Sequence, residues 1–169
     1  DLTLVVDRQL GSLRPVNRSV LPPAVTELVD ALLHEADSEQ AVGVLLQLAS
    51  GHVLRGAVLM VEETAIRCRA GFGYPLVSGT QALPRGLSIL ELVIRSNTPT
   101  MGIDPTAEGS HRLAELLGIE ELPSATAVIP LGIGASVAGI LVGDREGEGL
   151  PDLSELVVLA GRLGGVALH

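Results

Sequence analysis

At 169 residues the chain has room for one domain with a real core. That core must be aliphatic, because 47% of the residues are apolar yet the chain has one Phe, one Tyr and no Trp. A formal charge of −9 disfavours a nucleic-acid backbone or an anionic membrane surface as partner. All 11 basic residues are arginine, which excludes Schiff-base chemistry and a phosphate-loop lysine.

The lone Cys68 rules out an internal disulfide and a Cys-based zinc site, and fits a reducing, cytoplasmic setting. The apolar run from Leu2 to Val6 is too short for a signal peptide, and no window reaches the ~20 apolar residues of a membrane span. The start at Asp1 rather than Met reads as a piece of a longer protein.

Residues 1–22 carry Gly11, Pro15, Pro22 and scattered Arg, the composition of a leader or linker. From Pro23 the chain becomes periodic: Val25, Leu28, Val29, Leu32 and Leu33 share one helical face. Asp37 and Gln40 form a capping-box pattern that opens a second helix through Leu45, Leu46 and Leu48, with Gly51 as its stop. Leu54–Val61 reads as an apolar strand, Glu62 and Glu63 as a turn, and Thr64–Ala70 as an alternating strand. In that strand Ile66, Cys68 and Ala70 are expected on one face and Arg67 and Arg69 on the other. Gly71–Gly86 reads as loop, Ser88–Arg95 as a short helix, Pro99–Ile103 as a brief strand and Ser110–Leu117 as a helix stopped by Gly118. Thr126–Leu131 and Val137–Val142 are the apolar strands of a second hairpin, with Pro130 and Leu131 expected at its bend. The closing helix follows Pro151, with Asp152 and Glu155 as a capping box and an apolar stripe of Leu156, Leu159, Ala160, Leu163 and Ala167.

Strands near both ends of the chain with short helices between them point to an α+β fold around one antiparallel sheet. The order and several segments resemble a GAF domain over residues 23–169. The segments are Ala41-Val42 with Leu45-Leu46 through Ala49-Ser50; Ala57 to Met60; and Ala70-Gly71-Phe72-Gly73-Tyr74-Pro75. To these add Gly86-Leu87-Ser88 through Val93 with Asn97-Thr98-Pro99; Ile103-Asp104-Pro105; Ile129-Pro130-Leu131; and Gly139-Ile140-Leu141 with the final helix. The resemblance implies a profilin-like six-stranded antiparallel sheet, order near 2-1-5-6-4-3, with the terminal helices on one face and the short helices on the other. It also implies a regulatory, non-catalytic role in a bacterial signalling protein. Such a domain senses a small molecule between sheet and short helices, or transmits a signal by dimerising through the terminal helices to an attached domain. The N-K-F-D-E signature of cyclic-nucleotide-binding relatives is absent, and a single Cys is too few for relatives that reduce free methionine sulfoxide.

On that resemblance the candidate pocket comprises Phe72, Tyr74, Ser88, Leu92, Asp104, His111 and Arg112, floored by Val128 and Ile140. Arg112, the only Arg of the pocket-side helix, is the expected contact for an anionic ligand. The plainer alternative is that these residues pack a closed domain. The candidate homodimer interface is Leu28, Leu32, Val157, Gly161, Gly164 and Gly165. No cofactor or metal is expected, because the four histidines are scattered. Cys68 reads as a structural thiol, an enzyme using it being the least favoured alternative. Gly132-Ile133-Gly134 reads as a hairpin turn rather than a phosphate loop, because no helix follows it. Asp144-Arg145-Glu146 reads as an exposed ion-pair loop.

Overall fold

A computed structural model describes residues 38–76, 81–86 and 89–167. The expected leader, the helix from Pro23 and the Asp37 cap lie outside these residues. The described elements run α1 (Ser38–Ala49), β1 (Arg55–Val61), β2 (Ala65–Phe72), β3 (Leu83–Pro84), α2 (Ile89–Ser96), α3 (Glu108–Leu117), β4 (Thr126–Ile133), β5 (Ser136–Asp144) and α4 (Ser154–Ala167). The strands form one antiparallel sheet in the order β3-β2-β1-β5-β4. The α+β class is as the sequence implies, with five strands among the described residues rather than six.

The difference lies at the two edges. β3, inside the segment read as loop, pairs only Ala65 with Pro84 and Ile66 with Leu83. The expected strand at Pro99–Ile103 is reduced to one bridge, in which Thr100 and Val128 exchange both backbone hydrogen bonds at 2.9 and 2.8 Å. Pro130 explains the brevity. It shares the parity of Val128 in β4, so its missing N–H would have pointed at this outer segment and not at β5. Pro130 and Leu131 therefore lie within β4; the bend falls at Gly134-Ala135, with Gly134 at φ 60°. The Asn97 side chain donates to the Gly134 carbonyl at 2.8 Å and ties the end of α2 to this turn.

Alternation along the strands divides the core into two layers. Ala57, Leu59, Val128, Ile140 and Val142 pack with Leu90, Val93, Leu113, Leu117 and Leu122 beneath α2 and α3. Val58, Ala127, Ile129, Leu131 and Leu141 alternate with them and are just as buried. That second face receives α4 along β4, and α1 packs beside α4 and over β1. The buried stripe of α4 is Leu156, Leu159, Ala160 and Leu163, and that of α1 is Ala41, Val42, Leu45 and Ala49.

A β-bulge corrects the expected face of Ala70. Cys68 pairs with Leu59 but Ala70 pairs with Val58, so Arg69 is the extra residue and the strand reverses its facing beyond it. Arg69 then reaches Glu39 of α1 at 3.0 Å.

The helix-breaking glycines of α4 have separate roles. A Cβ at Gly164 would stand 2.7 Å from the Gly132 nitrogen and 2.9 Å from Leu131 Cα, so helix and sheet backbones meet there. A Cβ at Gly161 would meet nothing within 4 Å. Gly164→Ala is expected to cost about 1–3 kcal/mol through overpacking against a backbone that cannot yield. Gly161→Ala is expected to stabilise by about 0.5–1 kcal/mol through helix propensity. Denaturant unfolding of the two variants checks the opposite signs.

Candidate functional site

The residues singled out in the sequence do not gather in one place. Tyr74 is buried on the short-helix side, whereas Phe72 pairs with Gly56 on the α1–α4 side and covers it with its ring. Val128 and Ile140 are completely buried beneath α2 and α3, in contact with aliphatic side chains. Leu92 points away from that core and is 59% exposed; Leu90 and Val93 face inward instead. Asp104, His111 and Arg112 are exposed. Asp104 shapes the entry to α3: its Oδ1 accepts from the Thr106 hydroxyl at 2.7 Å and the Thr106 N–H at 3.0 Å. These bonds hold its carboxyl below the usual range. Ser88, Leu28 and Leu32 lie outside the described residues. Of the candidate interface in α4, Val157 is half-buried, Gly161 exposed and Gly164 buried against β4; Gly165 also lies in α4.

Two ionic clusters that sequence reasoning missed organise this side of the sheet. Asp144, read as part of an exposed loop, is fully buried. Its Oδ1 receives Arg55 Nε at 3.0 Å, Arg55 Nη2 at 2.9 Å and the Glu146 N–H at 2.6 Å. Its Oδ2 receives the Tyr74 hydroxyl at 2.5 Å. The Arg55 guanidinium also lies 5.0 Å from the Tyr74 ring centroid. Burial, followed by the neighbouring Asp144 carboxylate, pushes the Tyr74 phenol far above its ordinary value, so it remains a donor. Register explains the meeting: Arg55 pairs directly with Asp144 across β1 and β5. Within the Asp144-Arg145-Glu146 segment it is Arg145 that makes the expected exposed pair, with Glu148 at 3.3 Å.

The second cluster is Arg85 with Glu91. Arg85 Nε and Nη2 donate to the two Glu91 oxygens at 2.5 and 3.2 Å, and Nη1 donates to the Glu62 carbonyl at 2.9 Å. This fork joins α2 to the β1–β2 turn and to β3. The Arg85 hydrogen bond holds the Glu91 carboxyl below its usual range. Cys68 is half-buried, and burial pushes its thiol up, the opposite of activation.

Two surface concavities complete the site geometry. A small polar cleft of about 180 Å³ opens between β3 and α3, walled by Leu83, Pro84 and Leu116 and edged by Gln81, Arg112 and Glu115. A larger, shallower groove of about 670 Å³ lies at the start of α4, lined chiefly by Met101, Ala125, Leu150, Leu153, Val157 and Val158. Among the described residues no group of three or more His, Cys, Asp or Glu side chains could hold a metal ion. Among them, too, no helix is long and apolar enough to cross a membrane.

No family model and no curated protein matches the sequence. Solved structures do match in fold. The GAF domain of a phosphoenolpyruvate-protein phosphotransferase from Coxiella burnetii superposes with a TM-score of 0.63 at 22% identity, covering 83% of this chain and 86% of that one. The GAF domain of a two-component sensor histidine kinase from Bacillus halodurans gives 0.56 at 14% identity, over 76% and 90% of the chains. NreA from Staphylococcus aureus, solved with its nitrate-binding site mutated, gives 0.52 at 18% identity over 69% and 91%. The chain has the fold of a GAF domain.

Tyr74→Phe is expected to cost about 1–3 kcal/mol, because it leaves a buried carboxylate short of one donor. Asp144→Ala is expected to cost about 3–5 kcal/mol, because it strands the Arg55 charge and the Tyr74 hydroxyl. Chemical denaturation of both variants measures this. The Arg85–Glu91 fork gives a pH dependence of known sign. The folded Glu91 pKa is depressed, so its contribution is full above the unfolded carboxyl value of about 4.3 and disappears as pH falls through the lower folded value. Glu91→Gln is expected to lose stability at neutral pH and to show a shallower acid loss than the parent in thermal melts from pH 7 to pH 3.

Proposed function

We propose that this chain is a non-catalytic regulatory module of the GAF type, working in the cytoplasm as part of a larger signalling protein and taking a small polar ligand. The observation that carries the reading is the fold, shared with domains whose described roles include a sensor kinase, a phosphotransferase and a nitrate-binding protein. The raised thiol of Cys68 argues against the enzyme reading. The space between sheet and short helices holds Leu90, Val93, Leu113 and Ile140, so the ligand site sought here is the polar cleft beside β3 rather than the middle of the core. A thermal-shift screen of nucleotides, amino acids, inorganic anions and small organic acids tests it. A ligand at 100 times its Kd should raise stability by about 2.7 kcal/mol. No stabilising compound in the screen counts against ligand sensing.

A homodimer formed through α4 is the second reading, and the ligand reading does not depend on it. Its support is an outward face on that helix with Val158 40% exposed and Gly161 open to close approach. Light scattering across a micromolar concentration series should report a dimer, and Val158→Glu should shift the mass to that of a monomer. A parent that scatters as a monomer throughout removes this reading.

A further inference from the structure

We propose that the cleft between β3 and α3 binds a small zwitterion of the α-amino-acid class, with its carboxylate on Arg112 and its ammonium on Glu115; this rests on the ligand-sensing reading. Arg112 and Glu115 stand three residues apart on α3, a spacing that lets opposite charges pair. Both edge the same cleft, yet they do not pair with each other. Arg112 instead makes a long, exposed contact of 3.5 Å with Glu108 on its other side. The Glu115 side chain has no ion pair or hydrogen bond among the described residues, and neither does the Gln81 amide at the opposite rim. A cation, an anion and an amide thus surround one concavity with most of their bonding capacity unspent.

The cleft's size sets the class. About 180 Å³ admits a compact molecule. Its walls are apolar at Leu83, Pro84 and Leu116, with Leu83 and Leu116 almost wholly buried and so fixed in place. The bound molecule needs two opposite charges set close together to meet Arg112 and Glu115, and a short side chain to lie against the exposed ring of Pro84. A guanidinium fork suits a carboxylate, and a carboxylate suits an ammonium. Neither an anion alone nor a cation alone satisfies both Arg112 and Glu115. On the β3 side, Arg85 ties the end of the strand to Glu91 and to the Glu62 carbonyl.

The test titrates the full chain with the free proteinogenic L-amino acids, following backbone amide NMR shifts and heats of binding. The deaminated carboxylic acids and the amino-acid methyl esters serve as single-charge controls. The expected result is saturable binding of one or a few small zwitterions, with shifts centred on residues 81–84 and 112–116. Both controls and the variants Arg112→Ala and Glu115→Gln should each bind about tenfold more weakly or worse, as for loss of one charge-assisted contact. A deaminated acid that binds as well as its parent overturns the zwitterion. Shifts centred elsewhere, or affinity unchanged in both variants, overturn the location while leaving ligand sensing intact. No amino acid bound, alongside a different hit in the broad screen, overturns the class in the same way; no hit in either overturns both readings. Unaltered amide spectra of the free variants establish that they fold.

Discussion

The Asp144 carboxylate is the fixed point of this structure. A charge with no solvent contact is tolerated only when donors surround it. Here they come from three places: the first residue of β1, the loop after β2 and the backbone just past β5. The group therefore specifies more than it stabilises. It states where β1 begins against β5, and it brings the chain leaving β2 back over the short-helix face, carrying Tyr74 into a core that has almost no other ring. Slipping the β1–β5 pairing by one residue would separate Arg55 from Asp144 and send every apolar side chain of β1 to the wrong layer.

Much of the fold was legible because period and punctuation agree locally. Helical spacing in α4, the Gly118 stop with its left-handed φ of 80°, and the Glu62-Glu63 turn all appear where residue types alone place them. The antiparallel class followed from the order of elements. What stayed hidden depends on partners distant in sequence. Nothing around Asp144 announces a buried ion, because its mate lies 89 residues away. The bulge at Arg69 is invisible in an alternating pattern, yet it decides the side on which the following residues fall. Phe72 and Tyr74, two residues apart, appear to share a face by strand parity. The chain leaves β2 between them at Gly73, whose φ is 78°, and the two rings end on opposite sides of the sheet.

The candidate site was legible only in part, for a related reason. Arg112 was picked out as the one cation of its helix. Gln81 and Glu115 were not, since a glutamine in a loop and a glutamate on an exposed helix face carry no signal by themselves. They gain meaning when β3, a strand two residues long, brings one to the edge faced by the other. The aliphatic composition acts in the same direction. Leucine and valine from α2 and α3 pack densely against Val128 and Ile140 and occupy the middle of the domain, so concavity is left to the margin.

Pro130 has a further effect, on the edge of the sheet. An outermost strand with free amide donors is a template on which another chain can add itself. In β4 the donor at this position is removed, and the next one along, at Val128, is consumed by Thr100. At these two positions the β4 edge offers no donor for ribbon-like growth from copy to copy.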